Sequence, residues 1–283
     1  MKGNFFLRFP SGKAKALTFS YDDGVYNDIR LAEIFKKHNM KATFNINSGL
    51  FGDGTGTNFR SRLSETQVKE LYCDPSFEVA CHGFTHPFLD RCDPALALNQ
   101  VVLDRLKLEE VFGREVHGMA YPVGTYNDEV IEILKSAGIY YSRTVESHMK
   151  FILPKDWLKW HPTCHHNNPK LNQLADEFLA TEVVRHDPLL FYVWGQSYEF
   201  GDNDNWEIIE SFAENTANRG DIWYATNMEI FRYCRSFSRL QYSADGTLVY
   251  NPTSTDLWVS DLGGKVYNIK PGQTVDCNKN RGV

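Results

Sequence analysis

The chain has no Cys-x-x-Cys pair, no internal repeat and no low-complexity tract. Its six cysteines, Cys73, Cys81, Cys92, Cys164, Cys234 and Cys277, are scattered. That spacing disfavours both a zinc knuckle and a disulfide framework, and predicts reduced, buried small residues. The amino terminus carries Lys2 but only Phe5-Phe6-Leu7 as an apolar run, far short of a signal-peptide core. With Met1 as the natural start a cytoplasmic protein is expected; a longer natural chain leaves room for an export signal. No apolar stretch approaches the length that crosses a bilayer. Basic residues are the minority, 30 Lys+Arg against 36 Asp+Glu, for a formal charge of −6. This balance argues against a nucleic-acid partner and against an anionic membrane surface.

What is present points to a packed enzyme-sized domain. With 283 residues, 42 % of them hydrophobic and 23 % charged, the chain suits one α/β barrel with a sizeable core. Aromatics make up 14 %. Trp157, Trp160 and Trp194 would suit sugar stacking, although any single aromatic is more often a core residue.

Strand-like and helix-like segments alternate. Strands are expected at residues 15–21, 42–47, 77–82, 116–121, 139–143, 160–164, 189–194 and 222–225, with period-2 alternation clearest over Ala42–Asn47. Helices are expected at 29–38, 64–71, 94–113, 128–136, 170–179, 206–216 and 228–235. Ser64 with Gln67 reads as a capping box, Asp93-Pro94 as an N-cap with proline at the first helical position, and Gly113 and Gly138 as stops. About seven or eight parallel strands covered by helices predict a distorted (β/α) barrel over residues 1–236, with an open doubly wound sheet as the alternative. From about Arg239 the helical period gives way to short β runs, 247–250, 257–260 and 265–269, separated by Asp245-Gly246, Gly263-Gly264 and Pro271-Gly272. Residues 237–283 are too few to stand alone, so this small β appendage is expected to pack on the barrel or on a second subunit, the latter giving a homo-oligomer.

The polar clusters fall where these strands end: Thr18-Phe19-Ser20-Tyr21-Asp22-Asp23-Gly24, His82-Gly83-Phe84-Thr85-His86, Ala120-Tyr121-Pro122-Val123-Gly124, His161-Pro162-Thr163-Cys164-His165-His166 and Trp194-Gly195-Gln196-Ser197-Tyr198-Glu199. Barrel active sites are built on that face. Two histidines four apart can share one ion, and an anionic ligand from another strand completes a His-His-carboxylate set with open positions. Asp22-Asp23 can supply that ligand and, from its neighbour, a base for the water. Taken singly, Asp-Asp-Gly is also a common turn and a His pair is often structural.

The first two clusters together resemble the polysaccharide deacetylases of the NodB-homology type, the fourth carbohydrate esterase family, over roughly Lys15 to Arg235. The resemblance implies a distorted barrel and a divalent metal, usually zinc, with cobalt, nickel or iron also accepted by such ligands. It implies removal of acetyl from an N- or O-acetylated sugar or oligosaccharide. By the same resemblance Asp22 is the general base and Asp23, His82 and His86 are the metal ligands. Val123 falls in the family's third motif, where its backbone N–H would be the oxyanion donor, with Tyr121, Trp194 and Gln196 lining the substrate.

Two departures stand out. The family's arginine beside the base is replaced by Ala120, and its late histidine, the general acid, has no counterpart beyond Trp194-Gly195-Gln196. Glutamine cannot act as an acid, so His165 or His166 is the expected proton donor. Hydrolysis of another linear or cyclic amide on the same barrel, or a non-catalytic sugar-binding descendant, are the competing functions.

Overall fold

The computed structural model describes residues 5–277. The reading of the amino-terminal residues 1–4, and residues 278–283 of the expected appendage, lie outside the described residues. After a short strand β1 (Phe5–Arg8), the chain runs β2 (Lys15–Asp22), α1 (Asp28–Lys37), β3 (Ala42–Ile46), α2 (Glu65–Tyr72), β4 (Phe77–Cys81), α3 (Pro94–Phe112), β5 (Gly118–Ala120), α4 (Asp128–Ser136) and β6 (Tyr141–Arg143). It continues through β7 (Cys164–His165), α5 (Leu171–Ala180), β8 (Leu189–Gly195), α6 (Tyr198–Asn203), α7 (Glu207–Thr216), β9 (Ile222–Tyr224) and α8 (Asn227–Phe237).

Strands β2 to β9 form one parallel sheet in the order β6-β5-β4-β3-β2-β8-β7, with β9 also paired to β2. The segment leading into β7 bonds to β6 at Trp160 and to β8 at Cys164 and His165. The sheet therefore curls back on itself as a distorted barrel and not as an open doubly wound sheet. Regular pairing in this segment is shorter than the predicted 160–164 strand, since Pro162 has no N–H to give to a ladder.

The central strand shows how the sequence builds a site. Every residue of β2 is buried, but its two faces differ. Leu17, Phe19 and Tyr21 join the apolar core, where Phe19 packs on Phe35 of α1 at 4.5 Å between centroids. Thr18, Ser20 and Asp22 alternate with them and are tied by hydrogen bonds: Thr18 Oγ1 to Asn227 Oδ1 (2.9 Å), and Asn45 Nδ2 to both Ser20 Oγ (2.8 Å) and Asp22 Oδ1 (2.8 Å). Side chains alternate across a strand, so one strand supplies both a packing face and a polar row ending in Asp22.

The helix signals are found as read. Ser64 and Gln67 form a complete capping box, Asp93 accepts from Ala95 N–H, and Gly113 closes α3 at φ 63°. The short helix α6 was not visible in the sequence pattern. No disulfide links the six cysteines, but only Cys81, Cys164 and Cys277 are buried; Cys73 is exposed and Cys92 and Cys234 are half-buried.

The carboxyl-terminal strands β10 (Gln241–Tyr242), β11 (Leu248–Tyr250), β12 (Leu257–Asp261), β13 (Val266–Ile269) and β14 (Thr274–Asp276) form two small antiparallel sheets. β1 joins one of them by pairing with β12. Leu7, Val249, Leu257, Val259 and Ile269 share one apolar cluster with Ala16, Leu190 and Ile230 of the barrel. Among the described residues no helix is long and apolar enough to cross a membrane.

Candidate metal centre and active site

Past β2 the backbone turns through Asp23 at φ 89° and Gly24 at φ 65°. A left-handed aspartate is uncommon and costs about 1–3 kcal/mol. The turn separates two adjacent carboxylates. Asp22 accepts from Asn45 and, at Oδ2, from Arg143 Nη2 at 2.5 Å. Asp23 Oδ1 instead lies 3.0 Å from Arg62 Nη2 and 3.9 Å from His86 Nε2.

His82 follows β4 and is held on three sides. Its N–H donates to Asp104 Oδ2 (2.8 Å), its carbonyl accepts from Asn47 Nδ2 (2.5 Å), and its Nδ1 faces Ala120 O at 2.9 Å. A carbonyl can only accept, so Nδ1 carries a ring proton and Nε2 is the nitrogen placed to ligate. That Nε2 is 3.8 Å from Asp22 Oδ2. His86, also left-handed at φ 56°, brings its ring to within 4.8 Å of the His82 ring.

Ligating atoms of Asp23, His82 and His86 all lie within 4.8 Å of one another. Asp23 Oδ1 is buried and makes no well-aligned hydrogen bond, the kind of acceptor a cation satisfies. Burial works to raise the Asp23 carboxyl, but the charges of His82, Arg62 and His86 outweigh it and hold it below the usual range. Burial, followed by the charge of His82, lowers the basicity of His86 and favours a neutral ring. One carboxylate oxygen and two imidazole nitrogens are the donors a zinc-class ion takes, so these residues fit the implied metal.

Ala120 does lack the expected arginine, but Asp22 is not without a cation. Arg143, at the end of the neighbouring strand β6, is fully buried and reaches Asp22, with its guanidinium 4.4 Å above the Trp194 ring. The sequence signal was a charged residue closing a strand, at the same barrel end as the other clusters. Arg62, Asn45, Asp104 and Glu199 were likewise missed.

Val123 occupies the turn after β5 at φ 60° and is 43 % exposed. A β-branched residue in that region is a strained outlier. Tyr121 is buried, with its hydroxyl donating to Leu158 O at 2.7 Å, so it packs the wall and is not free for substrate. Trp194 is also buried, between Arg143 and the edge of His165. Trp157 and Trp160 pack edge-to-face in the apolar cluster, which makes them core residues and not a sugar platform. Gln196 is half-buried at the end of β8, with its N–H 3.3 Å from Glu199 Oε2.

His165 and His166 do not join the Asp23–His82–His86 cluster. Their Nε2 atoms turn to Glu199 Oε2, at 3.1 and 3.3 Å. Asn167 N–H donates to the other nitrogen of His165 (3.1 Å), and His166 is closed to solvent. The two expected acids thus form a separate group with a carboxylate.

Fold and site together define a distorted β/α barrel with a His-His-carboxylate cluster and a second carboxylate at the carboxyl ends of its strands. Residues 10–142, just under half of the chain, match the polysaccharide deacetylase family model, a match that supports a divergent relative of that family. A Bacillus subtilis protein named for the same family, YxkH, is 27 % identical over 138 residues, 48 % of this chain and 46 % of that one. The match thus spans about half the length of that curated relative. A solved Mycobacterium smegmatis protein named as a polysaccharide deacetylase has the same fold at 15 % identity and a TM-score of 0.56, covering 82 % of this chain and 94 % of the other. BA3943 from Bacillus anthracis, described as a CE4 family pseudoenzyme, superposes at 17 % identity and a TM-score of 0.49, over 80 % and 68 % of the two chains.

Proposed function

We propose that this chain is a metal-dependent hydrolase that removes acetyl from an N- or O-acetylated sugar or oligosaccharide, working as a cytoplasmic protein. The observation that carries the reading is the division of labour between Asp22 and Asp23. One carboxylate is grouped with two imidazoles, while its neighbour is turned to Asn45 and Arg143.

Asp23, His82 and His86 would hold the ion, zinc by its ligand set. Once bound, it supplies Lewis acidity toward the acetyl carbonyl and toward water. Asp22 takes the proton of the attacking water. Arg143 and Asn45 fix its carboxylate in one orientation, leaving a lone pair for that proton. The Val123 N–H meets the developing oxyanion, and the strained turn holds it in place before substrate arrives. His165 and His166 face Glu199, so this reading does not use them as acids. Asp22 returns its proton to the leaving oxygen or nitrogen, and the atoms balance as water plus acetyl-sugar giving acetic acid, which leaves as acetate and a proton, plus the deacetylated sugar.

A sugar-binding descendant without turnover is the second reading, favoured by Gln196 standing where an acid is expected. The two separate on acetate release from acetylated oligosaccharides by protein of verified metal content. Release supports the hydrolase; metal-loaded protein that binds the oligosaccharide without releasing acetate supports the descendant.

A further inference from the structure

A second set of ligating atoms converges apart from the Asp23–His82–His86 cluster. His165 closes β7, His166 follows it, and Glu199 lies on the first turn of α6. Both Nε2 atoms face one oxygen, Glu199 Oε2, at 3.1 and 3.3 Å, and the three ligating atoms lie within 4.8 Å of one another. His166 is fully buried, stacked against Tyr21 (5.6 Å) and Phe200 (4.1 Å), and neither of its ring nitrogens makes a hydrogen bond. A buried imidazole left in that state is uncommon in a folded protein. Its place is built into the backbone, because a Cβ on Gly195 would stand 1.9 Å from His166 Nδ1.

We propose that His165, His166 and Glu199 form a second divalent-metal site, taking a zinc-class ion independently of Asp23, His82 and His86. Two imidazoles and a carboxylate are the donors of zinc sites that keep a position open. Ligation through Nε2 puts the ring proton of His165 on Nδ1, so its contact with Asn167 N–H must open as the ion binds. Because Glu199 Oε2 also accepts from Gln196 N–H, the ion would tie β7 and the end of β8 to α6 beside the mouth.

Equilibrium dialysis of the full-length protein against zinc, read by elemental analysis, tests this directly. The wild type should hold two equivalents, and Glu199→Gln and His165→Gln one each. His86→Ala should also hold one, and the Glu199→Gln/His86→Ala pair none. A single equivalent lost in His86→Ala and kept in Glu199→Gln would overturn the proposal, as would two equivalents retained in Glu199→Gln. A single equivalent lost in Glu199→Gln and kept in His86→Ala would support this site and sink the Asp23–His82–His86 assignment instead. Should a variant fail to fold, cobalt titration of the wild type still decides: two successive absorption steps support the second site, and one step removes it.

Discussion

Arg143 Nη2 lies 2.5 Å from Asp22 Oδ2, with both side chains closed to solvent. The charge that the third motif lacks at Ala120 is delivered by the next strand. Arg143 Nε and Nη1 find no hydrogen bond, so Asp22 is its one carboxylate partner among the described residues. Removing either member leaves an uncompensated buried charge, a loss of about 3–5 kcal/mol.

Urea unfolding of a double-mutant cycle checks this pair. Arg143→Met and Asp22→Asn should each cost about 3–5 kcal/mol, and the double variant should cost clearly less than their sum. Additive losses would mean that the two groups do not depend on each other.

A pH dependence follows from Asp28. Its carboxyl is sealed between Val25 N–H (3.1 Å), Tyr72 OH (2.6 Å) and the Ser197 hydroxyl, and burial pushes it up to about 7. The folded protein therefore keeps this proton to higher pH than the unfolded chain, whose aspartates release theirs near ~4. The contribution to stability is full below about pH 4 and is lost as pH rises through about 7. Asp28→Asn should flatten that fall, measured as unfolding free energy between pH 4 and 8; an unchanged slope would count against it.

Val123 gives a test of stored strain. At an ordinary backbone position Val→Gly costs stability, but at φ 60° glycine relieves about 1–3 kcal/mol of strain. Val123→Gly should therefore leave thermal stability unchanged or higher, while keeping the backbone N–H. A clear drop in melting temperature would show that packing of the valine side chain outweighs the strain.

Much of this was legible because barrels concentrate chemistry at strand ends. The β/α alternation, the caps at Ser64, Asp93 and Gly113, and the polar clusters after each strand are local signals. Asp22, Asp23, His82 and His86 are contiguous motifs, which made their grouping readable. Arg143 was not, because its meeting with Asp22 spans 121 positions and depends on how the sheet curls. The same holds for Glu199, which reaches His165 and His166 only because α6 follows β8, and for Tyr121 and Trp194, whose burial no local pattern reveals.

The most direct test of the central claim is acetate release from N- and O-acetylated oligosaccharides, with metal content measured on the same samples. The account predicts release by the zinc-loaded protein, loss on chelation and recovery when zinc is returned. Asp22→Asn should retain its metal and lose on the order of 10²-fold or more in turnover, the contribution of a general base. Acetate release that survives chelation or Asp22→Asn, or none from any substrate at full metal occupancy, would contradict it.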